Sequence, residues 1–313
     1  MTKHRSSRER PREGRQRSQC CVVASGPEAM RSQVAGLEIP GVLWRRDPQG
    51  VQLPLVLDSP HSGSYYPDDF AYRCPLPVLR RAEDAYVDEL YEAAPAFGAT
   101  LIGALFPRSY LDPNRAPDDL DPGLLTGPLP SFFKPRPVTR VGLVRRHAQP
   151  GVPIYDGKLS PDDVLARIER YHSPYHNVLD DACERLHAEF GAVWHINCHS
   201  MPSNGSPRDG HGDFVLGDRD GTTCAPEFTD FVARFLRGLG YDVRINEGYK
   251  GVEIVRRQGR PVENRHSLQI EVDRSLYMDQ RTLQRLPDFD RLRADLTHLV
   301  QAVGEFVRSR LRA

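Results

Sequence analysis

Apolar residues fall in short blocks along the chain, and the blocks alternate between two spacings. The run "LPLVL" from Leu53 to Leu57 stops at Asp58, Pro60 and Gly63, which predicts a short strand followed by a turn. In "VLRRAEDAYVDELYEAAPAFG", Val87, Leu90, Tyr91 and Ala94 recur at helical spacing, and Gly98 supplies a stop. "TLIGALF" reads as the next strand and runs into "PRSYLDPNR". Residues 118–157 are rich in Pro and Gly and read as loop, with a possible short strand at 141–144. The clearest helical pattern spans 160–191. Ser160 caps it, Pro161 takes the first turn, Asp162 and Asp163 suit the dipole, Pro174 should bend or break it, and Gly191 ends it.

Beyond it come a strand "AVWHINCHS", a strand "DFVLGD", a helix "EFTDFVARFLRGLG", strands "YDVRINEG" and "SLQIEVDRSLY", and a long amphipathic helix at 289–311. Strands alternating with helices predict an α/β layered fold, with a mostly parallel sheet and helices on both faces. No internal repeat or linker interrupts the alternation after Val34, so residues 34–313 read as a single α/β domain. A chain of 313 residues is long enough to bury such a core.

Charge adds one feature. The chain balances 42 basic against 42 acidic residues, yet its first twenty hold seven Lys or Arg and only two Glu. With few apolar residues to bury, residues 1–33 are expected to form a disordered basic tail. A dispensable tail or mis-assigned start is preferred over an arm on nucleic acid. No apolar stretch follows its Arg residues as in an export signal, and no window is long enough to span a membrane. The six cysteines are scattered without a CxxC pair, which argues against a Cys-rich zinc knuckle. Reduced thiols in a cytoplasmic protein are expected.

Chemistry collects at the strand ends, where open α/β sheets place their ligands. Asp58 and His61 follow the first predicted strand; Arg108, Asp112, Asn114 and Arg115 follow the second. His199 ends a third, and Glu271, Asp273 and Arg274 stand at the last. Each has an ordinary structural account. Together, two imidazoles and a carboxylate are what a catalytic zinc uses, with one position left open. Glu271 is either a solvent-side residue alternating with Ile270 and Val272, or a buried general base.

The ordered set "DSPHSGSYYP", "DAYVDELY", "PRSYLDPNR", "YHSPYHNVL", "NCHSM", "DFVLGDRDGTTC", "GYKGVEIVRRQG" and "SLQIEVDRSLYMD" closely resembles the N-formylglutamate amidohydrolase (deformylase) family. The likeness runs from about Leu53 to Met278 and implies an α/β/α sandwich related to zinc carboxypeptidase-like hydrolases. It implies His61 and His199 as zinc ligands and Glu271 as the catalytic glutamate. A His-x-x-Glu pair is absent, since Ser64 stands three residues after His61; Asp84 is the chosen third ligand, with Asp58 and Asp88 as rivals.

A substrate with two carboxylates calls for guanidinium donors, for which Arg108, Arg115 and Arg256 are the candidates. Asn114 could hold a carboxylate or the formyl oxygen, and His176 could support the transition state or cap the broken helix. The expected activity is metal-assisted hydrolysis of the formyl amide of N-formylglutamate, a small dicarboxylate amide. The rivals are a zinc hydrolase of another N-acyl amino acid or small peptide, and a metal-free anion-binding protein. A serine hydrolase through Ser62 or Ser200 is weaker, because neither lies in a GxSxG elbow.

Overall fold

Period-two alternation in two long strands decides where this molecule is polar inside. The computed structural model describes residues 35–131, 133–135, 141–203 and 212–312, and the predicted basic tail at 1–33 lies outside them. An opening hairpin, β1 (Gly36–Ile39) and β2 (Leu43–Arg46), leads to β3 (Leu55–Ser59). Two short helices, α1 (Leu76–Arg80) and α2 (Val87–Leu90), precede β4 (Thr100–Ala104) and a small hairpin of β5 (His147–Gln149) and β6 (Val152–Pro153). Helices α3 (Pro161–Arg167) and α4 (Ser173–Phe190) lead to β7 (Val193–Met201) and β8 (Phe214–Gly217). The chain closes with α5 (Pro226–Gly238), β9 (Val243–Ile245), α6 (Glu253–Gln258), β10 (Arg265–Asp273) and α7 (Phe289–Arg310).

Eight strands form one sheet in the order β1-β2-β4-β3-β7-β10-β8-β9. The pairs β3–β4, β3–β7, β7–β10 and β8–β9 are parallel, while β1–β2, β2–β4 and β8–β10 are antiparallel, so the sheet is mixed. Helices cover both faces, giving the expected three-layer α/β/α sandwich. On one face Leu57, Ile196, Cys198, Ile270 and Val272 pack with Leu90, Phe228, Val232, Leu296 and Val303 of α2, α5 and α7. On the other, Val56 and Ile102 pack with Tyr175, Val178 and Leu179 of α4 and with Phe106, Tyr110 and Leu143 from loops. No helix among the described residues is long and apolar enough to cross a membrane.

β7 and β10 lie parallel in the sheet, with Ser267 beside His195, Gln269 beside Asn197 and Glu271 beside His199. Successive side chains of a strand point to opposite faces. Trp194, Ile196 and Cys198 therefore join Leu268, Ile270 and Val272 in one core, and the six polar residues form a buried stripe on the opposite face. Both strands lie inside the sheet with helices on either side, so this stripe is buried along its length and reaches only the cavity at its carboxyl end.

Three local expectations are corrected. The helix predicted across 78–98 is two short pieces and a 3-10 turn, because the chain turns out of the helix around Asp84 and Tyr86. There the Asp84 N–H donates to the His61 carbonyl at 3.0 Å, and Tyr86 takes a φ of 67°. Residues 141–144 form no strand. Leu143 instead bonds through both main-chain groups to the 112–119 loop, accepting from Asp112 N at 2.7 Å and donating to Asp119 O at 2.6 Å. Pro174 does not break its helix, because one π-turn at Ile168–His172 joins α3 to α4. A wider turn accommodates a proline that cannot donate to the preceding turn. The opening hairpin was not anticipated, since its two strands are only four residues long and β1 is largely exposed.

Candidate active site

Beyond the carboxyl ends of β3, β4, β7 and β10 lies a cavity of ≈ 870 Å³. His61, Arg108, Asn114, Arg115, Arg145, His199, Glu271 and Arg274 are among the residues that line it. His61 reaches it from the turn after β3. That turn crosses the end of β4 so closely that a Cβ on Gly63 would lie 2.3 Å from the Phe106 carbonyl oxygen. Only glycine tolerates such an approach, which is why "HSG" follows this strand.

His61, Asp84 and His199 bring three ligand atoms within 4.8 Å of one another, all on buried residues. Asp84 Oδ2 stands 3.2 Å from His61 Nδ1 and 3.0 Å from His199 Nδ1. Ligands on a tetrahedral cation with bonds of ~2.0 Å are separated by about 3.3 Å, so the two spacings suit such an ion. The rear nitrogens agree. His61 Nε2 lies 2.7 Å from Asp112 Oδ1, and His199 Nε2 lies 2.7 Å from Asn197 Oδ1. Donation from both Nε2–H groups leaves both Nδ1 lone pairs facing the Asp84 oxygen. Three lone pairs at these separations repel unless a cation sits among them, and this carboxylate- or amide-backed imidazole is the usual support of a metal-binding histidine.

The supporting shell is continuous. Asp84 Oδ1 accepts from Arg274 at 2.8 Å and faces Arg108 at 3.5 Å, which leaves Oδ2 for a ligand's role. Burial alone would raise the Asp84 carboxyl. Without a metal, when the two rings can donate through Nδ1, hydrogen bonds from His199 and His61 and the charge of Arg108 outweigh burial and hold it well below the usual range. Asn197 donates to Asp58 Oδ1 at 2.7 Å, and Asp58 also meets His195 at 2.9 Å and Tyr175 at 2.7 Å. Asp58 therefore braces the support of His199 from behind. Ser267, His195 and Asp58 align like a nucleophilic triad, yet Ser267 is wholly buried and does not line the cavity. Ser62 donates to the Asp84 carbonyl and Ser200 accepts from Arg274, and among the described residues no imidazole hydrogen-bonds either hydroxyl.

Glu271 sits beside His199 in the parallel register, on the polar face, with only 6% of its surface exposed. Its Oε1 accepts from Gln269 Nε2 at 3.0 Å. Burial pushes its carboxyl up to about 7; His199 pulls against this, the Asp84 charge adds to it, and Arg108 and Arg274 pull against it. A carboxyl poised near neutrality can both accept and return a proton. The solvent-side alternative for Glu271 fails because its side chain is buried on a central strand and opens only onto the cavity.

The predicted substrate contacts fare unevenly. Arg108 lines the cavity, but Nε and NH2 already donate to Asp112 at 3.2 and 3.0 Å. Arg115 donates to the carbonyls of Val141 and Asn114 at 2.7 and 2.8 Å, and its charge acts on Asp112 without a hydrogen bond to it. Asn114 is committed internally: Oδ1 accepts from Ile254 N at 2.9 Å, and Nδ2 donates to Asn197 Oδ1 at 3.5 Å. Arg256 is misplaced in the sequence reading. It is half exposed, pairs with Glu253 at 2.6 Å, and does not line the cavity.

His176 also falls outside the cavity. Its Nε2–H donates to the Pro113 carbonyl at 2.8 Å, while the neighbouring His172 donates to the Arg115 carbonyl at 2.8 Å. The π-turn brings the two rings to 4.3 Å, and together they brace the loop that carries Asn114. Burial, with the charge of His172, lowers the His176 pKa to about 3, so it stays neutral and donates. The rival ligand Asp58 is turned toward its own buried network, and Asp88 is not in the cluster. Among the site residues that escaped the sequence reading are Asn197 and Gln269, hidden inside apolar strand patterns, and Arg145, in a segment read as loop.

Comparison with known proteins bears on this geometry. A family model described as N-formylglutamate amidohydrolase matches residues 53–278. The solved structure of an N-formylglutamate amidohydrolase from Ralstonia eutropha JMP134 is 48% identical, with a TM-score of 0.82, covering 86% of this chain and 99% of that one. The N-formylglutamate deformylase of Pseudomonas putida is 30% identical over 73% of this chain and 83% of its own length. That of Pseudomonas aeruginosa PAO1 is 29% identical over 80% and 90% respectively.

Proposed function

Because the chain belongs to the N-formylglutamate amidohydrolase family, we propose that it hydrolyses the formyl amide of N-formyl-L-glutamate to formate and glutamate, using a zinc ion held by His61, Asp84 and His199. The observation that carries this reading is the sheet register. It sets a buried carboxyl, Glu271, directly beside one imidazole of a three-atom cluster whose lone pairs converge. When bound, zinc supplies Lewis acidity, which acidifies water and polarises a carbonyl oxygen.

The chain's own groups do the rest. Glu271 accepts a proton from the attacking water at a carboxylate oxygen and returns it to the departing nitrogen of glutamate. Gln269 holds that carboxylate in place from the same strand. Asp112 and Asn197 fix the rear nitrogens of the two imidazoles, and Arg274 fixes Asp84. The cavity wall carries Arg81, Arg108, Arg115, Arg145, Arg274 and Lys250, a positive surface suited to a dicarboxylate. Holding the substrate by its carboxylates makes attack effectively intramolecular.

Two assays test the reading. Formate release is measured on N-formylglutamate and on a panel of other N-acyl amino acids and acidic dipeptides, with and without zinc. Preference for another acyl group would move the protein to a different amidohydrolase activity on the same site. Glu271→Gln should retain one zinc per chain and lose turnover by at least ~10³-fold, near the upper range of proton-transfer catalysis. Retained turnover would reject Glu271 as the base.

A further inference from the structure

Each cation on the cavity wall can be asked what answers its charge. Arg108 is answered by Asp112 and Asp84, and Arg274 by Asp84. Lys250 pairs with Asp220 at 2.8 Å. Arg145 differs. Its side chain is only 16% exposed, it makes no hydrogen bond among the described residues, and its Nε is buried without a partner. The nearest carboxylate oxygen, Asp112 Oδ2, lies 3.7 Å away and already accepts from Arg108. The adjacent Arg146 points elsewhere and pairs with Asp121.

This placement is built in. Leu143 is pinned through both main-chain groups to the 112–119 loop, and Leu143 and Val144 are buried in the core beside it. The next residue, Arg145, is thereby delivered to the cavity wall within electrostatic reach of Arg108 and Arg115. Burial and, after it, the charge of Arg108 push its pKa down to about 9 against the weaker pull of Asp112. A buried guanidinium without its anion is costly, and its planar fork matches a carboxylate through two parallel hydrogen bonds.

We propose that Arg145 receives one carboxylate of the substrate and so selects dicarboxylates over their mono-amides. The proposal rests on the N-formylglutamate reading and names a specificity-determining residue within it. Arg108 is then a positioning residue for Asp84 and Asp112, with no carboxylate of its own to bind.

The test compares the wild type, Arg145→Met and Arg145→Lys on N-formylglutamate, N-formylglutamine and N-formylisoglutamine. Arg145→Met should lower kcat/KM on the diacid about 10- to 100-fold, chiefly through KM, as expected for a lost charged hydrogen bond. The mono-amide that lacks the carboxylate held by Arg145 should be unchanged, the other should fall with the diacid, and Arg145→Lys should recover part of the loss. An equal fall on all three substrates, or no fall on any, overturns the proposal. Glutarate serves as a probe independent of turnover: it should raise the melting temperature of the wild type and not of Arg145→Met. A wild type that is stabilised by glutarate yet releases no formate would refute the proposed activity alone. Equal stabilisation of both proteins, or of neither, would refute the role of Arg145.

Discussion

Replacing Asp112 by Asn isolates the charge behind His61 from the hydrogen bond that carries it. Asn keeps an oxygen able to accept from His61 Nε2, now 2.7 Å from Asp112 Oδ1, so the ring should keep its tautomer and orientation. What is lost is the negative charge that strengthens the imidazole as a ligand. Loss of such a support weakens metal binding about 10- to 100-fold, or about 1.4–2.7 kcal/mol. The same change removes the main counter-charge of Arg108, which donates to Asp112 Oδ2 at 3.0 Å. Breaking a buried pair costs about 3–5 kcal/mol, and the lower end is expected because Asp84 still faces Arg108 at 3.5 Å. Zinc affinity measured by competition with a chromophoric chelator, together with urea unfolding of the metal-free protein, separates the two effects. The double variant Asp112→Asn/Arg108→Gln should recover much of the stability and none of the zinc affinity. Zinc affinity unchanged within twofold in both Asp112→Asn and Asp112→Ala would refute the argument that this carboxylate tunes His61.

Other outcomes follow from the same geometry. Gly63→Ala forces a Cβ to within 2.3 Å of the Phe106 oxygen and 2.5 Å of the Leu105 carbonyl carbon, both backbone atoms. The turn carrying His61 must move, so a lower melting temperature and weaker zinc binding are expected, and an unchanged protein would show the turn to be pliable. His176 has a folded pKa of about 3, below its unfolded value, so its contribution is intact above pH ~6.5 and is lost as pH falls, when only the unfolded chain binds the proton. Between pH 7 and pH 5 this removes about 2 kcal/mol of stability, and urea titrations of His176→Gln should show a correspondingly shallower acid slope. Arg256→Gln should leave kcat/KM for N-formylglutamate within about twofold, since a half-exposed ion pair away from the cavity contributes little. A large loss would return Arg256 to the site.

The boundaries of the fold were written in local patterns. Alternation of strands and helices, the Ser160–Pro161 cap and the Gly191 stop each depend on neighbouring residues, and each reappears in the structure. So does the gathering of His61, His199 and Glu271, because strand ends of one parallel sheet segment share an edge. The sequence favours Asp84 over Asp58 and Asp88, but only the fold decides which carboxylate joins the two imidazoles. That choice turned on where the backbone leaves a helix around Asp84, bonding back to the His61 turn, and local spacing carries no record of such a tie. Nor could the sequence show that Arg108 is engaged, that Arg256 and His176 face elsewhere, or that Arg145 has no hydrogen-bonded anion among the described residues. Pairing of charges separated by tens or hundreds of residues is a property of tertiary packing, and only the folded chain assigns each cation its partner or leaves it without one.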